Sequence, residues 1–349
     1  VRELNDWLRR SVGRGASDVL IHAGAAVKMR VLGEVLDLGT SKLDPESARR
    51  LLVAPLDSGQ EEDLSVAGEL DLAYSAEDVG RFRANIYEDH RGLCGVYHYI
   101  PATPPTLHDL NIPGDLARVI NYHHGLVLIT GPAGCGKTST LAALINLINE
   151  ERSDHVLTVE DPVEYLHPSK SCLVNQRQVR RDTASFSRAL RAALREDPDI
   201  ICIGELRDLE TISLALSAAE TGHLVLATMH NSSAIRAINS VVGVYPPDQQ
   251  PQIRTMLSES LRAVVAQRLL PRSDKGGMAL ALELLYVNRA VSNLIREDRT
   301  LQIASVLQMG KEAGMRMLDH SLLELVEMGT VTHEVARAAA DKPALFKTF

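Results

Sequence analysis

Leu126-Val127-Leu128-Ile129 runs through Thr130 into Gly131-Pro132-Ala133-Gly134-Cys135-Gly136-Lys137-Thr138, and the apolar Leu141-Ala142-Ala143-Leu144-Ile145 follows. A G-x-x-x-x-G-K-T run between an apolar strand and an apolar helix has the spacing and context of a phosphate-binding loop. Gly131, Gly134 and Gly136 let the backbone turn tightly with its N–H groups aimed inward, where they and the helix N-terminus complement a triphosphate. Lys137 is placed to reach the β and γ phosphates, and the Thr138 hydroxyl to bind Mg²⁺. Pro132, Ala133, Cys135 and Ser139 complete the stretch expected to wrap ATP. A Lys-Thr pair opening a helix has no packing purpose of its own.

Around this loop, from about Leu107 onward, strands alternate with helices. Apolar strands at 126–130, 156–160, 200–204 and 224–229, with helical stretches at 137–150, 184–196 and 208–220, indicate a parallel sheet wrapped by helices, the RecA-like way of building an NTPase. Beyond Pro246-Pro247, residues 248–270 are expected to form one amphipathic helix ending at Pro271. The Gly276-Gly277 turn then leads to a strand at about 279–287, and three or so helices fill 289–340. On the other side, residues 1–100 read as a small α+β domain: a helix over Leu4 to Val12, alternating strands at 17–22, 27–31, 81–87 and 95–100, and a helix from Pro45 to Leu52 opened by Asp44. Pro101, Pro104 and Pro105 stiffen a linker over 101–112. The second domain is assigned to 113–349, with a helical subregion from about 289.

Composition narrows the class further. A chain of 349 residues has room for roughly two domains, and 45% hydrophobic with 23% charged residues is the balance of a globular protein. No apolar run approaches the roughly 18 residues of a membrane helix, and Val1-Arg2-Glu3-Leu4-Asn5-Asp6 is no signal-peptide core, so a cytoplasmic location is expected. The start at Val1 rather than Met suggests that a few residues are missing. The formal charge of -8 and the 4% aromatic content argue against general nucleic-acid binding. Cys94, Cys135, Cys172 and Cys202 stand far apart without a C-x-x-C pair, as reduced buried thiols do.

Three further segments bear on chemistry. Val156-Leu157-Thr158-Val159 runs into Glu160-Asp161-Pro162-Val163-Glu164, so a strand ends in carboxylates at the sheet edge where active groups collect; Glu160 and Glu164 are candidates to face Mg²⁺ or the attacking water. Ile200-Ile201-Cys202-Ile203 ends in Gly204-Glu205, a Walker-B-like pattern that makes Glu205 the leading catalytic candidate, polarising the water that attacks the γ-phosphate. Thr221-Gly222-His223 precedes the strand Leu224 to Met229, which ends at His230. The two imidazoles therefore lie at opposite strand ends: His230 at the catalytic edge, where it can read the γ-phosphate, and His223 at a helix end or a neighbouring subunit.

Together these segments resemble the secretion ATPases of type IV pilus and type II secretion machines, most closely the PilT-like retraction motors of type IV pili. The likeness covers nearly the whole chain. It runs through Gly15-Ala16-Ser17-Asp18, Arg81-Phe82-Arg83-Ala84-Asn85, the phosphate loop, the acidic box 158–164, Leu194-Arg195-Glu196-Asp197-Pro198-Asp199, Gly204-Glu205-Leu206-Arg207-Asp208 and the histidine box 221–230. The resemblance implies a cytoplasmic homo-hexamer at the inner face of the membrane, acting on an inner-membrane platform protein, with a PAS-like first domain, a RecA-like second domain and ATP with Mg²⁺ between subunits. It implies that Glu164 is needed for hydrolysis beside Glu205, and that arginines of the Arg81-Phe82-Arg83 strand, Arg83 in particular, reach the triphosphate. Three positions depart from the family: His98 stands where a second arginine is expected, Ser292 replaces an arginine in Ala290-Val291-Ser292-Asn293-Leu294-Ile295-Arg296-Glu297, and Asn231-Ser232-Ser233 replaces threonines.

Other readings stay open on sequence alone. An accessory or divergent pilus motor fits the three departures. An assembly motor usually carries a four-cysteine zinc motif, absent here. In another class, Gln176-Arg177-Gln178-Val179-Arg180-Arg181 with Arg188, Arg191 and Arg195 suits the DNA face of a conjugation-type ATPase, or ion pairs at a subunit interface.

Overall fold

The structure is a computed structural model that describes residues 1–274 and 276–346; Lys275 and 347–349, the end of the second domain as read from sequence, lie outside the described residues. The chain divides into two compact units, Val1–Thr103 with Pro162–Leu166, and Pro104–Asp161 with the residues from His167 onward. Among the described residues no helix is long and apolar enough to cross a membrane.

The first unit runs α1 (Arg2–Val12), β1 (Asp18–His22), β2 (Ala26–Val31), β3 (Glu34–Lys42), α2 (Pro45–Val53), α3 (Ser58–Ala67), β4 (Glu69–Ala76), β5 (Gly80–Asp89) and β6 (Gly92–Ile100). Its six strands pair antiparallel in the order β3-β2-β1-β6-β5-β4. Alternation decides the two faces: Val19, Phe82, Ile86 and Tyr97 are buried with Leu4, Leu8 and Leu52 of the helices, while the intervening Asp18, Arg83 and His98 point away. Local signals set the helix starts. Asp44 caps α2 by accepting from the Ser47 N–H at 2.8 Å, with Pro45 in the first turn. Asp57 and Gln60 form a capping box on α3.

The second unit continues β7 (Gly125–Thr130), α4 (Lys137–Glu151), β8 (His155–Glu160), β9 (Leu173–Gln178), α5 (Phe186–Ala193), β10 (Ile200–Ile203), α6 (Leu209–Glu220), β11 (Leu224–Met229), α7 (Ala234–Gly243), α8 (Gln250–Ser260), β12 (Leu261–Pro271), β13 (Met278–Tyr286), α9 (Arg289–Arg296), α10 (Ile303–Met309), α11 (Leu318–Glu327) and α12 (His333–Ala339). Its seven strands lie in the order β13-β12-β7-β11-β10-β8-β9, parallel except for the β12–β13 hairpin. Every residue of β7, β10 and β11 is buried, as a parallel sheet covered on both faces requires.

The expected helix over 248–270 is corrected: α8 stops at Ser260 and the chain turns into β12, whose β-branched Val264 and Val265 lie fully buried beside β7. Beyond β13 the described residues hold four α-helices, in line with the three or so expected there. The final segment is clipped to the sheet from two sides. Arg268 of β12 donates to the Ala339 carbonyl and pairs with Asp341 at 3.0 Å, and the buried Asp319 accepts from the Asp341 and Lys342 N–H groups at 2.9 and 3.2 Å.

Gly95 of β6 lies under α2, where an added Cβ would stand 2.5 Å from a methyl of the fully buried Leu52. Gly95→Ala is expected to destabilise the first unit by about 1–3 kcal/mol through overpacking, read as a lower denaturant midpoint with unchanged slope.

Candidate active site

Three close backbone features build the site. Gly136, at φ 87°, is the N-cap of α4 and carries no side chain to cap it, so the first turn of this 15-residue helix faces the loop. Gly131, at φ +149°, sits where a Cβ would come within 2.5 Å of the Gln267 carbonyl oxygen and the Cys135 sulfur. Gly204 follows β10 where a Cβ would meet the Glu160 backbone at 3.2 Å. Glycine answers a different demand at each position: a left-handed backbone at Gly136, a near approach with no room for a Cβ at Gly131, and a tight but looser contact at Gly204.

On this frame Lys137, 8% exposed, donates to the Gly131 and Pro132 carbonyls at 2.9 Å each and approaches His230 Nδ1 at 3.4 Å. Because an ammonium only donates, Nδ1 accepts and the imidazole proton sits on Nε2. Nε2 lies 3.0 Å from Glu205 Oε1, and Arg207 donates to Oε2 at 2.7 Å. The result is a continuous chain from Lys137 through His230 to Glu205. Burial alone would raise the Glu205 carboxyl, but Arg207, and after it His230, hold it below the ordinary carboxylate range. Burial pulls Lys137 below its ordinary value, against the opposing pull of Cys135 and Glu205.

The remaining sequence candidates fall in separate places. Thr138 lies in the first turn of α4, and its hydroxyl makes no hydrogen bond among the described residues. Glu160, at the carboxyl end of β8, is buried and accepts from Thr158 at 2.7 Å and Gln176 at 3.0 Å. His223 lies at the opposite end of β11 from His230, with Nδ1 3.0 Å from the Ala218 carbonyl at the end of α6. Glu164 belongs to the first unit. There Arg83 donates to its Oε1 at 3.3 Å, and Arg81 donates to the Val163 carbonyl at 2.7 and 3.2 Å. His98 faces Asp18 at 2.9 Å. Arg30, Asp18, His98 and Arg83 are successive register partners across β2, β1, β6 and β5, one row of charges on the face turned away from α1 and α2.

Several residues that organise the site had not been singled out from sequence. Thr130, closing β7, accepts from Asn231 N–H at 2.7 Å just beyond His230. Gln267 donates to Thr140 Oγ1 at 2.9 Å, tying β12 to the helix after the loop. Thr228 donates to the Gly204 carbonyl at 2.5 Å, holding the strand end that carries Glu205. The proposed DNA face is laced with internal pairs: Arg177 with Glu196, Arg180 with Asp161, Arg181 with Asp182 and Arg191 with Glu210.

A parallel RecA-like sheet with a glycine loop, its lysine and a strand-end glutamate at one edge defines a P-loop NTPase. Residues 111–341 match the family model described as type II/IV secretion system protein, and the chain belongs to that family. It is 43% identical over 344 residues, 99% of this chain and all of the other, to the "Type IV pilus retractation ATPase PilT" of Pseudomonas aeruginosa. A twitching motility protein of Neisseria gonorrhoeae is also 43% identical, over 89% of this chain and 83% of its own. The crystal structure of the pilus retraction motor PilT with bound ADP superposes with a TM-score of 0.88 at 39% identity, covering 98% of both chains.

The Asp18 partner raises the His98 pKa, outweighing burial, while Glu164 adds to the rise and Arg83 opposes it. A raised folded-state pKa contributes stability that is fully present below the unfolded value of about 6.5 and is lost as pH climbs through the folded value. His98→Ala should therefore lower the melting temperature of the first unit more at pH 6 than at pH 8.5. An equal loss at both pH values would show that the Asp18 pairing carries no ionic stabilisation.

Proposed function

We propose that this protein is an ATP-hydrolysing motor that withdraws pilin subunits from type IV pili. The observation that carries the reading is the Lys137–His230–Glu205 chain at the phosphate loop, in a protein that resembles a pilus retraction ATPase along nearly its whole length. Lys137 exchanges the loop carbonyls for β and γ phosphate oxygens, and the loop N–H groups with the α4 N-terminus hold the remaining charge. Glu205, ionised near neutrality and aimed by the Arg207 guanidinium and the His230 Nε2–H, accepts a hydrogen bond from the attacking water and takes its proton. His230, in contact with both Lys137 and Glu205, links phosphate binding to alignment of the base.

Magnesium fits the site: the Thr138 hydroxyl is free for it, Glu160 ends β8 at the same edge of the sheet, and water and phosphate oxygens would supply the other ligands. When bound, it neutralises charge on the β and γ phosphates. Glu164 and the Arg81–Arg83 strand complete the site in the assembled protein, Arg83 stabilising charge on the transferred phosphoryl group. This requires a homo-hexameric ring in the cytoplasm, working at the inner face of the membrane on a platform protein. Residues 1–100 form the moving domain, 101–112 the hinge and 113–349 the ATPase domain. One observation favours a second reading as an accessory motor: His98 and Ser292 stand where the retraction motors have arginines, and Ser292 instead bonds the Ser258 carbonyl of α8.

Lys137→Ala should abolish Mg²⁺-dependent ATP hydrolysis, and Glu205→Gln should bind ATP and fail to turn it over, with kcat down by about 10²-fold or more. Phosphate release and equilibrium nucleotide binding separate the two effects, and undiminished turnover in either variant would sink the assignment. Cells lacking the protein should keep or over-produce surface pili and lose twitching. Bald cells would favour an assembly motor, and unimpaired twitching an accessory one.

A further inference from the structure

Glu283 is a carboxylate in a place where ionisation is costly. It lies on β13, 8% exposed, and burial pushes its pKa up; the Ala234 N–H and then Arg268 oppose that rise, while Asp341 and Asp319 add to it. A well-packed apolar side chain at such a position is often no less stable than a buried ion. What the carboxylate does is bind backbone: Oε1 accepts from Ala234 N–H at 2.6 Å. Ala234 is the first residue of the 10-residue α7, where a negative charge also complements the helix dipole.

His230 precedes Ala234 by four positions, and the intervening chain is held by other bonds as well: Thr130 Oγ1 donates to the Asn231 carbonyl at 2.8 Å, and Ser233 caps α7 by accepting from the Arg236 N–H at 3.3 Å. Asn231 N–H donates to Thr130 Oγ1 at 2.7 Å and its side chain donates to Ser240 at 2.7 Å. Arg236 donates to Ser232 Oγ at 2.9 Å. Thr130 thus fixes the chain directly after His230, and Glu283 fixes it again at the start of α7. Just ahead of these two anchors the backbone carries the imidazole that touches Lys137 and Glu205, at 3.4 and 3.0 Å. A shift of about 1 Å in a group aligning a catalytic base can cost on the order of 10²-fold in rate.

We propose that Glu283 is a positioning residue for hydrolysis: by anchoring the first N–H of α7 it holds His230 where it bridges the phosphate-loop lysine and the catalytic glutamate. The inference rests on the hydrolytic role given above to Lys137, His230 and Glu205. The Lys137 bonds to the Gly131 and Pro132 carbonyls do not involve α7 or His230, so nucleotide affinity should change far less than turnover.

The test uses the full-length protein and steady-state ATP hydrolysis. Glu283→Ala should lower kcat about tenfold and leave KM within about twofold. Ala234→Pro removes the same hydrogen bond from the donor side at a helix position that favours proline, after an extended Ser233, so the fold survives even if alanine at 283 does not. It should reproduce the kcat loss. Glu283→Gln keeps an acceptor oxygen and should stay within about threefold of wild type. In a His230→Ala background, Glu283→Ala and Ala234→Pro should cost nothing further, a non-additivity that general loosening of the fold would not produce. Wild-type kcat in Ala234→Pro, a Glu283→Gln as slow as Glu283→Ala, or full additivity with His230→Ala each overturns the positioning role. A His230→Ala protein with wild-type turnover instead overturns the hydrolytic reading of His230, and the positioning role with it.

Discussion

The closeness of the phosphate loop to β12 underlies the rest of the second unit. At Gly131 the loop backbone lies against the Gln267 carbonyl so tightly that a single methyl group has no room. That approach puts the Gln267 side chain on Thr140 of α4 and brings Lys137 back over the carbonyls of its own loop. The register of β7 beside β11, and of β11 beside β10, then carries His230 and Glu205 to the same edge. Remove the approach and the loop lifts, the lysine loses its buried setting, and the strand-end groups no longer converge.

Charge does the second part of the organisation. Glu205 is partly buried, which by itself favours the protonated acid, yet Arg207 and His230 reverse the balance and leave an ionised acceptor with a fixed aim. Glu160 differs: with Thr158 and Gln176 on one oxygen it stiffens the end of β8 and supports Gly204. In the first unit the row Arg30, Asp18, His98 and Arg83 holds one anion, and the protonation of His98 decides whether two or three cations share it.

Much of this was legible in the residues themselves. The glycine loop, the apolar strands of the parallel sheet and the acids at their ends carry strong local signals, because a strand buried on both faces reads as a continuous apolar run. The same property hid β12. Leu261-Arg262-Ala263-Val264-Val265-Ala266 follows a helix without a proline or glycine, so its apolar run blends with α8, and only pairing with β7 settles its conformation. Strand β9 carries no such signal: as Leu-Val-Asn-Gln-Arg-Gln at a sheet edge, it is half exposed and mostly polar. Thr130, Gln267 and Glu283 were invisible for another reason: each acts on backbone or side chains 49 to 127 positions away, and no spacing encodes that.

Strand β12 carries two adjacent attachments that face opposite ways: Gln267 holds the helix behind the nucleotide loop, and Arg268 holds the chain at 339–341. Since successive side chains on a strand alternate between faces, inserting or deleting one residue upstream in β12 would exchange them. A guanidinium would then be driven beneath the phosphate helix and a neutral amide left to secure the C-terminal segment. Descendants of this gene should thus accept many replacements along the strand but almost no change in its length, and the gap-free stretch in any family of orthologues should extend through residues 261–271.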